Sequence, residues 1–250
     1  MRYFIAFSYF GKSYHGWQNQ PNAISVQQVM EKAFSTLLRQ PITMVGAGRT
    51  DAGVHARQMF AHFDFEEIDD LEDLVYRLNA FLPKDIAICQ IYKVSDNAHA
   101  RFDAMERTYE YWIVKEKNPF YKDAAYHVKY RLDISAMNKA AMILLKYNDF
   151  ECFSKSNTDV KTFLCKVKKA VWNEEGDKLV FTITADRFLR NMVRAIVGTL
   201  LGIGSGKSTV DDMRKVIESK DRGMAGASVP AKGLYLTRVL YPGNGNETNG

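Results

Sequence analysis

A carboxylate held on a glycine-rich turn is the first place in this chain where chemistry could be done. Gly46-Ala-Gly-Arg-Thr-Asp-Ala-Gly-Val-His55 sets Arg49 and Asp51 among three glycines, between two apolar segments. Glycines on both sides let the backbone take positive φ and let a ligand come close to the main chain, which aims the Arg49 and Asp51 side chains away from their own fold. A carboxylate so presented can act as a nucleophile or as a general base. Asp-Ala-Gly is also an ordinary turn signal, in which the aspartate merely closes the turn. Loop chemistry alone leaves both readings open.

A second cluster is basic. Arg187, Arg190 and Arg194 stand at i, i+3 and i+7, which on a helix puts them on one face, while Leu189, Met192, Val193, Ile196 and Val197 supply an apolar face. Such spacing describes a solvated arginine face as readily as a phosphate contact. Five lysines between Lys155 and Lys169, interleaved with aromatic and apolar residues, form a further candidate surface for RNA. Gly204-Ser-Gly-Lys-Ser208 imitates the end of a phosphate-binding loop, but Leu201 occupies the position of its first glycine and a helix precedes it. The histidines at 15, 55, 62, 99 and 127 have no metal-binding spacing, and His55 reads as structural. Neither a metal nor a cofactor is expected.

The elements that must position these groups follow from periodicity. Residues 3–8 alternate as a strand, and Ser25-Val-Gln-Gln28 reads as a capping box opening a helix with Val26, Val29, Met30, Ala33, Phe34, Leu37 and Leu38 on one stripe, closed by Pro41. Strands over 42–45 and 57–65 flank the glycine loop. Asp69 and Asp70 cap a helix with stripe Leu71, Leu74, Val75, Leu78 and Leu82, and a strand over 86–94 completes the order strand, helix, strand, strand, helix, strand. The second half repeats that order: strand 108–114, helix 134–145, strands 162–172 and 179–185, helices 188–201 and 210–219, and strand 234–240. The reading is therefore α+β, with two ferredoxin-like (split βαβ) domains and mainly antiparallel sheets. The domains are set at 1–94 and 102–240, with a linker near 95–101 and a disordered tail over 241–250.

Composition narrows the function classes. The 250 residues are 46% hydrophobic and 25% charged, as in ordinary globular proteins. No apolar run is long enough to span a membrane, and the N-terminal apolar stretch lacks a cleavage site. Cys89, Cys152 and Cys165 are odd in number and form no C-x-x-C pair, which disfavours a disulfide framework or a cysteine zinc site and fits a reducing cytoplasm. Net charge is +5: residues 1–94 carry 9 Lys/Arg against 10 Asp/Glu, and residues 95–250 carry 25 against 19. The second half is the phosphate-binding candidate.

The string Gly48-Arg-Thr-Asp-Ala-Gly-Val-His55 resembles the active-site signature of the TruA family of tRNA pseudouridine synthases. Gly16-Trp-Gln18, His99-Ala-Arg-Phe102, Arg107-Thr-Tyr-Glu-Tyr111, Phe188-Leu-Arg-Asn-Met-Val-Arg-Ala-Ile-Val-Gly198 and Gly233-Leu-Tyr-Leu236 are similar to further family segments in the family's order, so the likeness covers most of the chain. It implies two ferredoxin-like domains whose sheets meet at a central cleft, a homodimer, and isomerisation of uridine to pseudouridine at positions 38, 39 and 40 of the tRNA anticodon stem-loop, without a cofactor. It implies Asp51 as the essential carboxylate, Arg194 as its cationic partner, Tyr109 against the target uracil and Arg49 in the gap left by the flipped base. Leu234 would be an apolar pocket wall and Arg190 a substrate contact. Near Cys165 and Lys166 the chain departs from the family, which often has an arginine there. The same βαββαβ order occurs in the RRM, a non-catalytic RNA binder, but residues 57–65 fail its RNP1 pattern for want of both glycine-type positions.

Overall fold

The computed structural model describes residues 1–155 and 160–243. It divides the chain into two compact units, Met1–Met105 joined by the chain from Leu236 onward, and Glu106–Tyr235. Of the tail expected from 241, residues 244–250 lie outside the described residues. Tyr241 is buried, packs edge-on against Phe4 and Phe60, and donates its hydroxyl to the Ala100 carbonyl at 2.5 Å.

In the first unit, β1 (Arg2–Tyr9) lies between β4 (Ile86–Val94) and β3 (His55–Asp64), antiparallel to both, and the short β2 (Val45–Gly46) pairs with β3. Alternation along β1 sends Ile5 and Phe7 into the core. There the helices α1 (Val26–Leu38) and α2 (Leu71–Phe81) contribute Val26, Met30, Phe34, Leu74 and Leu78, all essentially unexposed. Each helix starts where its cap predicts. The Ser25 hydroxyl accepts from Gln28 N–H, and the Asp70 carboxylate accepts from Asp73 N–H. The first helix stops at Leu38, before Pro41, because Arg39 turns into the left-handed region with φ 56°. The strand expected over 42–45 shrinks to Val45–Gly46. The amides of Ile42 and Met44 are taken instead by side chains of α1, Ser35 at 2.8 Å and Glu31 at 2.8 Å, so they enter no ladder.

The second unit has a sheet ordered β5 (Glu106–Val114), β8 (Lys178–Ala185), β7 (Val167–Glu175), antiparallel throughout, with α3 (Ile134–Leu144), α4 (Met192–Gly204) and α5 (Asp212–Ser219). A two-residue strand, β6 (Tyr126–His127), pairs in parallel with β5 and carries no periodic signal in the sequence. The last strand, β9 (Leu234–Leu240), has the bounds expected from sequence. The strand expected over 162–172 begins only at Val167. Before it the backbone is spent elsewhere: Cys165 N–H donates to the Asn148 carbonyl, the Phe163 carbonyl accepts from Phe150 N–H, and Leu164 makes an isolated antiparallel bridge with Asp149. With β9 as the closing strand, the order β5, α3, β7, β8, α4, α5, β9 repeats strand, helix, strand, strand, helix, strand with one added helix, as read from sequence.

Candidate active site

The loop carrying Asp51 is the crest of a hairpin. Val45 and Gly46 pair with His62 and Ala61, and Ala47 N–H donates to the Phe60 carbonyl at 2.8 Å before the chain leaves the ladder. Val54 N–H then donates to the Asp51 carbonyl at 3.2 Å, with Gly53 at φ 77° in the third position of the turn, where an L-residue would be strained. Asp51 thus does close a turn through its backbone; the residue is half-buried, two positions after the exposed Arg49, and at Gly48 an added Cβ would meet nothing within 4 Å.

What holds this loop is the stretch from the end of β1 toward α1. The Tyr9 hydroxyl is 2.8 Å from Thr50 Oγ1, and Gly53 N–H donates to the Tyr14 carbonyl at 3.1 Å. Gly11 N–H donates to His55 Nδ1 at 2.9 Å, and Phe10 stacks on the His55 ring at 4.1 Å. Two glycines allow this approach. A Cβ on Gly11 would sit 1.9 Å from the Val54 carbonyl oxygen, and one on Gly16, which has φ 85°, would sit 2.2 Å from that of Thr50. On the other side, Gly46 packs close against the Trp17 indole, 2.4 Å being all that would separate an added Cβ from Nε1. Gly16 and Trp17 stand in a family-like segment and His55 follows the turn, but nothing in the sequence marks Tyr9, Gly11 and His55 as gripping one loop. The only local signal was two isolated glycines in the polar stretch between a strand and a helix.

In the second unit the tyrosines at 109 and 111 share a strand face and part company by environment. Tyr111 is wholly buried, its hydroxyl donating to the Pro230 carbonyl at 2.8 Å above Gly233, and burial pushes that phenol up from its ordinary value. Tyr109, opposite Ile183, is half-buried and meets Phe188 edge to face at 5.1 Å. Arg194 lies in α4, half-buried, with Nε donating to the Val229 carbonyl at 2.8 Å and its own carbonyl accepting from Val229 N–H at 3.2 Å. Leu234 is buried at the start of β9, so Arg194, Tyr111 and Leu234 are gathered on one segment, 229–234. The fold also uses groups missed in the sequence. Asn191 Nδ2 and Arg222 Nη2 both donate to the Ser228 hydroxyl, and Gly226 N–H donates to Thr199 Oγ1 in α4 at 2.8 Å.

The arginine face expected from i, i+3, i+7 spacing does not form. The helix begins at Met192 because Asn191 takes φ 68° and spends its side chain on Ser228, so Arg187 and Arg190 precede the helix. Arg190 is exposed and its carbonyl accepts from Lys155 N–H, whereas Arg187 reaches the Thr162 carbonyl at 3.4 Å. Of the lysine-rich stretch, residues 156–159 lie outside the described residues; Lys155, Lys161, Lys166, Lys168 and Lys169 are exposed. The phosphate-loop imitation at 204–208 caps a helix end: the amides of Lys207 and Ser208 both donate to the Gly202 carbonyl, leaving neither for a phosphate. The Cys152 and Cys165 thiols are buried, and burial pushes each up to about 12, far from a reactive thiolate. Among the described residues no group of three or more His, Cys, Asp or Glu could hold a metal ion, and no helix is long and apolar enough to cross a membrane.

Against known proteins, a family model described as tRNA pseudouridine synthase matches residues 5–103 and 140–242. Proteins named tRNA pseudouridine synthase A are similar over nearly the whole chain. That of Parabacteroides distasonis is 56% identical over 242 residues, covering 96% of each protein. That of Bacteroides fragilis is 53% identical over 243 residues, again 96% of each. That of Bacillus subtilis is 41% identical over 245 residues, 96% of this chain and 99% of its own.

Proposed function

The chain belongs to the tRNA pseudouridine synthase family, and from that premise we propose that it isomerises uridine to pseudouridine at positions 38, 39 and 40 of the tRNA anticodon stem-loop. The reaction breaks the N1–C1′ glycosidic bond, turns the uracil within the site and joins C5 to C1′; N1 gains a proton and the hydrogen at C5 leaves to water. Atoms and electrons balance without a co-reactant. Asp51 supplies the carboxylate, by attack on C6 of the base, by attack on C1′ of the ribose, or by abstraction of a ribose proton. The observation that carries the assignment is the hairpin crest, tied by backbone hydrogen bonds, that holds the half-buried Asp51 two residues after an exposed arginine.

The remaining roles are proposed from the same match. Tyr109 offers an aromatic face, backed by Phe188, that offsets the stacking a flipped uracil loses, and Arg49 fills the vacated gap in the stem. Arg194 is the second catalytic residue, Leu234 an apolar wall and Arg190 a phosphate contact. Residues 106–235 carry 23 Lys/Arg against 16 Asp/Glu, a surplus suited to a polyanion. A homodimer working in the cytoplasm completes the reading, and sedimentation at micromolar concentration tests its oligomeric part. The function is tested by incubating the protein with anticodon-arm RNA, digesting to nucleosides and separating them. Pseudouridine should form with wild type and Arg190→Ala, and be strongly reduced with Arg194→Ala at unchanged fold. Equal, small effects of the two arginine changes would remove Arg194 from the chemistry.

A further inference from the structure

We propose that residues 9–17 act as a strap that sets the position of Asp51, with Tyr9 and His55 as its positioning residues. This rests on Asp51 being the catalytic carboxylate. Four of the six residues from 50 to 55 are held from this one stretch: Thr50 by the Tyr9 hydroxyl, Gly53 by the Tyr14 carbonyl, Val54 by close packing of Gly11, and His55 by the Gly11 amide. A turn needs only its own bond, here Val54 N–H to the Asp51 carbonyl. The added contacts bracket Asp51 on both sides, one residue before it and two to four after it. They fix the backbone from which the Asp51 side chain projects with more contacts than the turn itself needs.

The His55 contact is chemically specific. Its Nδ1 accepts from an amide, so the ring proton sits on Nε2, and a group able to accept at that place is required. The imidazole is buried and stacked on Phe10, which fixes its plane. Tyr9 is also buried, and its hydroxyl reaches Thr50, the residue next to the carboxylate. Displacing a reacting group by about 1 Å can cost on the order of 10²-fold in rate.

The test compares Tyr9→Phe, Thr50→Val and Thr50→Ser, His55→Leu and His55→Asn, with Asp51→Ala alongside. Single-turnover pseudouridine formation at saturating anticodon-arm RNA is measured with RNA affinity and the urea midpoint. Tyr9→Phe and Thr50→Val should each slow the chemical step about tenfold, and the double change should be no worse than either. Thr50→Ser should stay within about twofold. His55→Leu should lose about 10²-fold and His55→Asn, which keeps an acceptor, about tenfold or less. RNA affinity should hold within about twofold throughout, under conditions where the urea curves show every variant folded; a merely stabilising role would move the urea midpoint and leave the rate. Wild-type rates in Tyr9→Phe and His55→Leu, with Asp51→Ala inactive, would overturn the strap alone. An active Asp51→Ala would instead overturn the catalytic reading on which it rests.

Discussion

Replacing Gly16 by alanine puts the coupling between strap and loop under direct load. Gly16 has φ 85°, and an added Cβ would lie 2.2 Å from the Thr50 carbonyl oxygen. Since non-bonded carbon contacts settle at about 3.5 Å, one backbone must retreat by roughly 1 Å. Left-handed backbone costs an L-residue about 1–2 kcal/mol, and the displaced contact adds on the order of 1 kcal/mol. For a chain of this length a loss of about 2–3 kcal/mol lowers Tm by roughly 5–10 °C. The retreat falls on the residue preceding Asp51, so the chemical step should slow by about 10²-fold while RNA affinity is kept. Calorimetry measures the first effect, and single-turnover kinetics well below the transition measures the second. A variant that loses stability but reacts at the wild-type rate would refute the idea that the strap sets the carboxylate.

Other perturbations test the packing and the electrostatics separately. In α4, an added Cβ at Gly202 would meet only the Ser208 hydroxyl at 3.8 Å, so Gly202→Ala should stabilise by about 0.5–1 kcal/mol, whereas Gly198→Ala, 1.9 Å from the Ala227 carbonyl oxygen, should destabilise by about 1–3 kcal/mol; urea midpoints moving in the same direction would contradict this. Burial first, then the positive charges of Arg2 and His99, hold His62 down at about 4 from its ordinary 6.5. The folded state keeps His62 neutral while the unfolded chain takes up a proton, so stability is full above pH 6.5 and falls by up to about 3 kcal/mol as pH drops to 4. His62→Gln, which can still accept from Ala100 N–H, should show a shallower loss across that window, and equal slopes would remove His62 as the cause. Affinity for anticodon-arm RNA should fall steeply with salt, log Kd rising linearly with log salt concentration; a flat dependence would argue against phosphate contact by the basic unit.

Regular elements were legible wherever period and punctuation agreed. The strands 86–94 and 234–240 have the bounds read from sequence, and α2 follows its Leu71, Leu74, Leu78 stripe from the Asp70 cap. The reading failed where a side chain outcompeted the backbone. Glu31 and Ser35 took the amides that residues 42–44 would have given a strand, and Asn191 turned left-handed for Ser228, which removed Arg187 and Arg190 from the helix face. The Asp51 loop was visible as composition, but its clamp joins residues 9–17 to residues 50–55 through glycine approaches and single hydrogen bonds that leave no periodic trace.

The central claim is that Asp51 drives formation of a C5 to C1′ bond, which must expel the hydrogen at C5. Anticodon-arm RNA carrying tritium at C5 of its uridines reports that event directly and is unaffected by RNA binding or nucleotide hydrolysis. Wild-type protein, with no metal or nucleotide added, should release tritium to water in step with pseudouridine formation. Asp51→Ala should bind the same RNA within a few-fold, since one carboxylate adds no attraction to a polyanion, and should release none above background. Wild-type protein that binds the RNA yet releases no more tritium than Asp51→Ala, across several anticodon arms, would contradict the account.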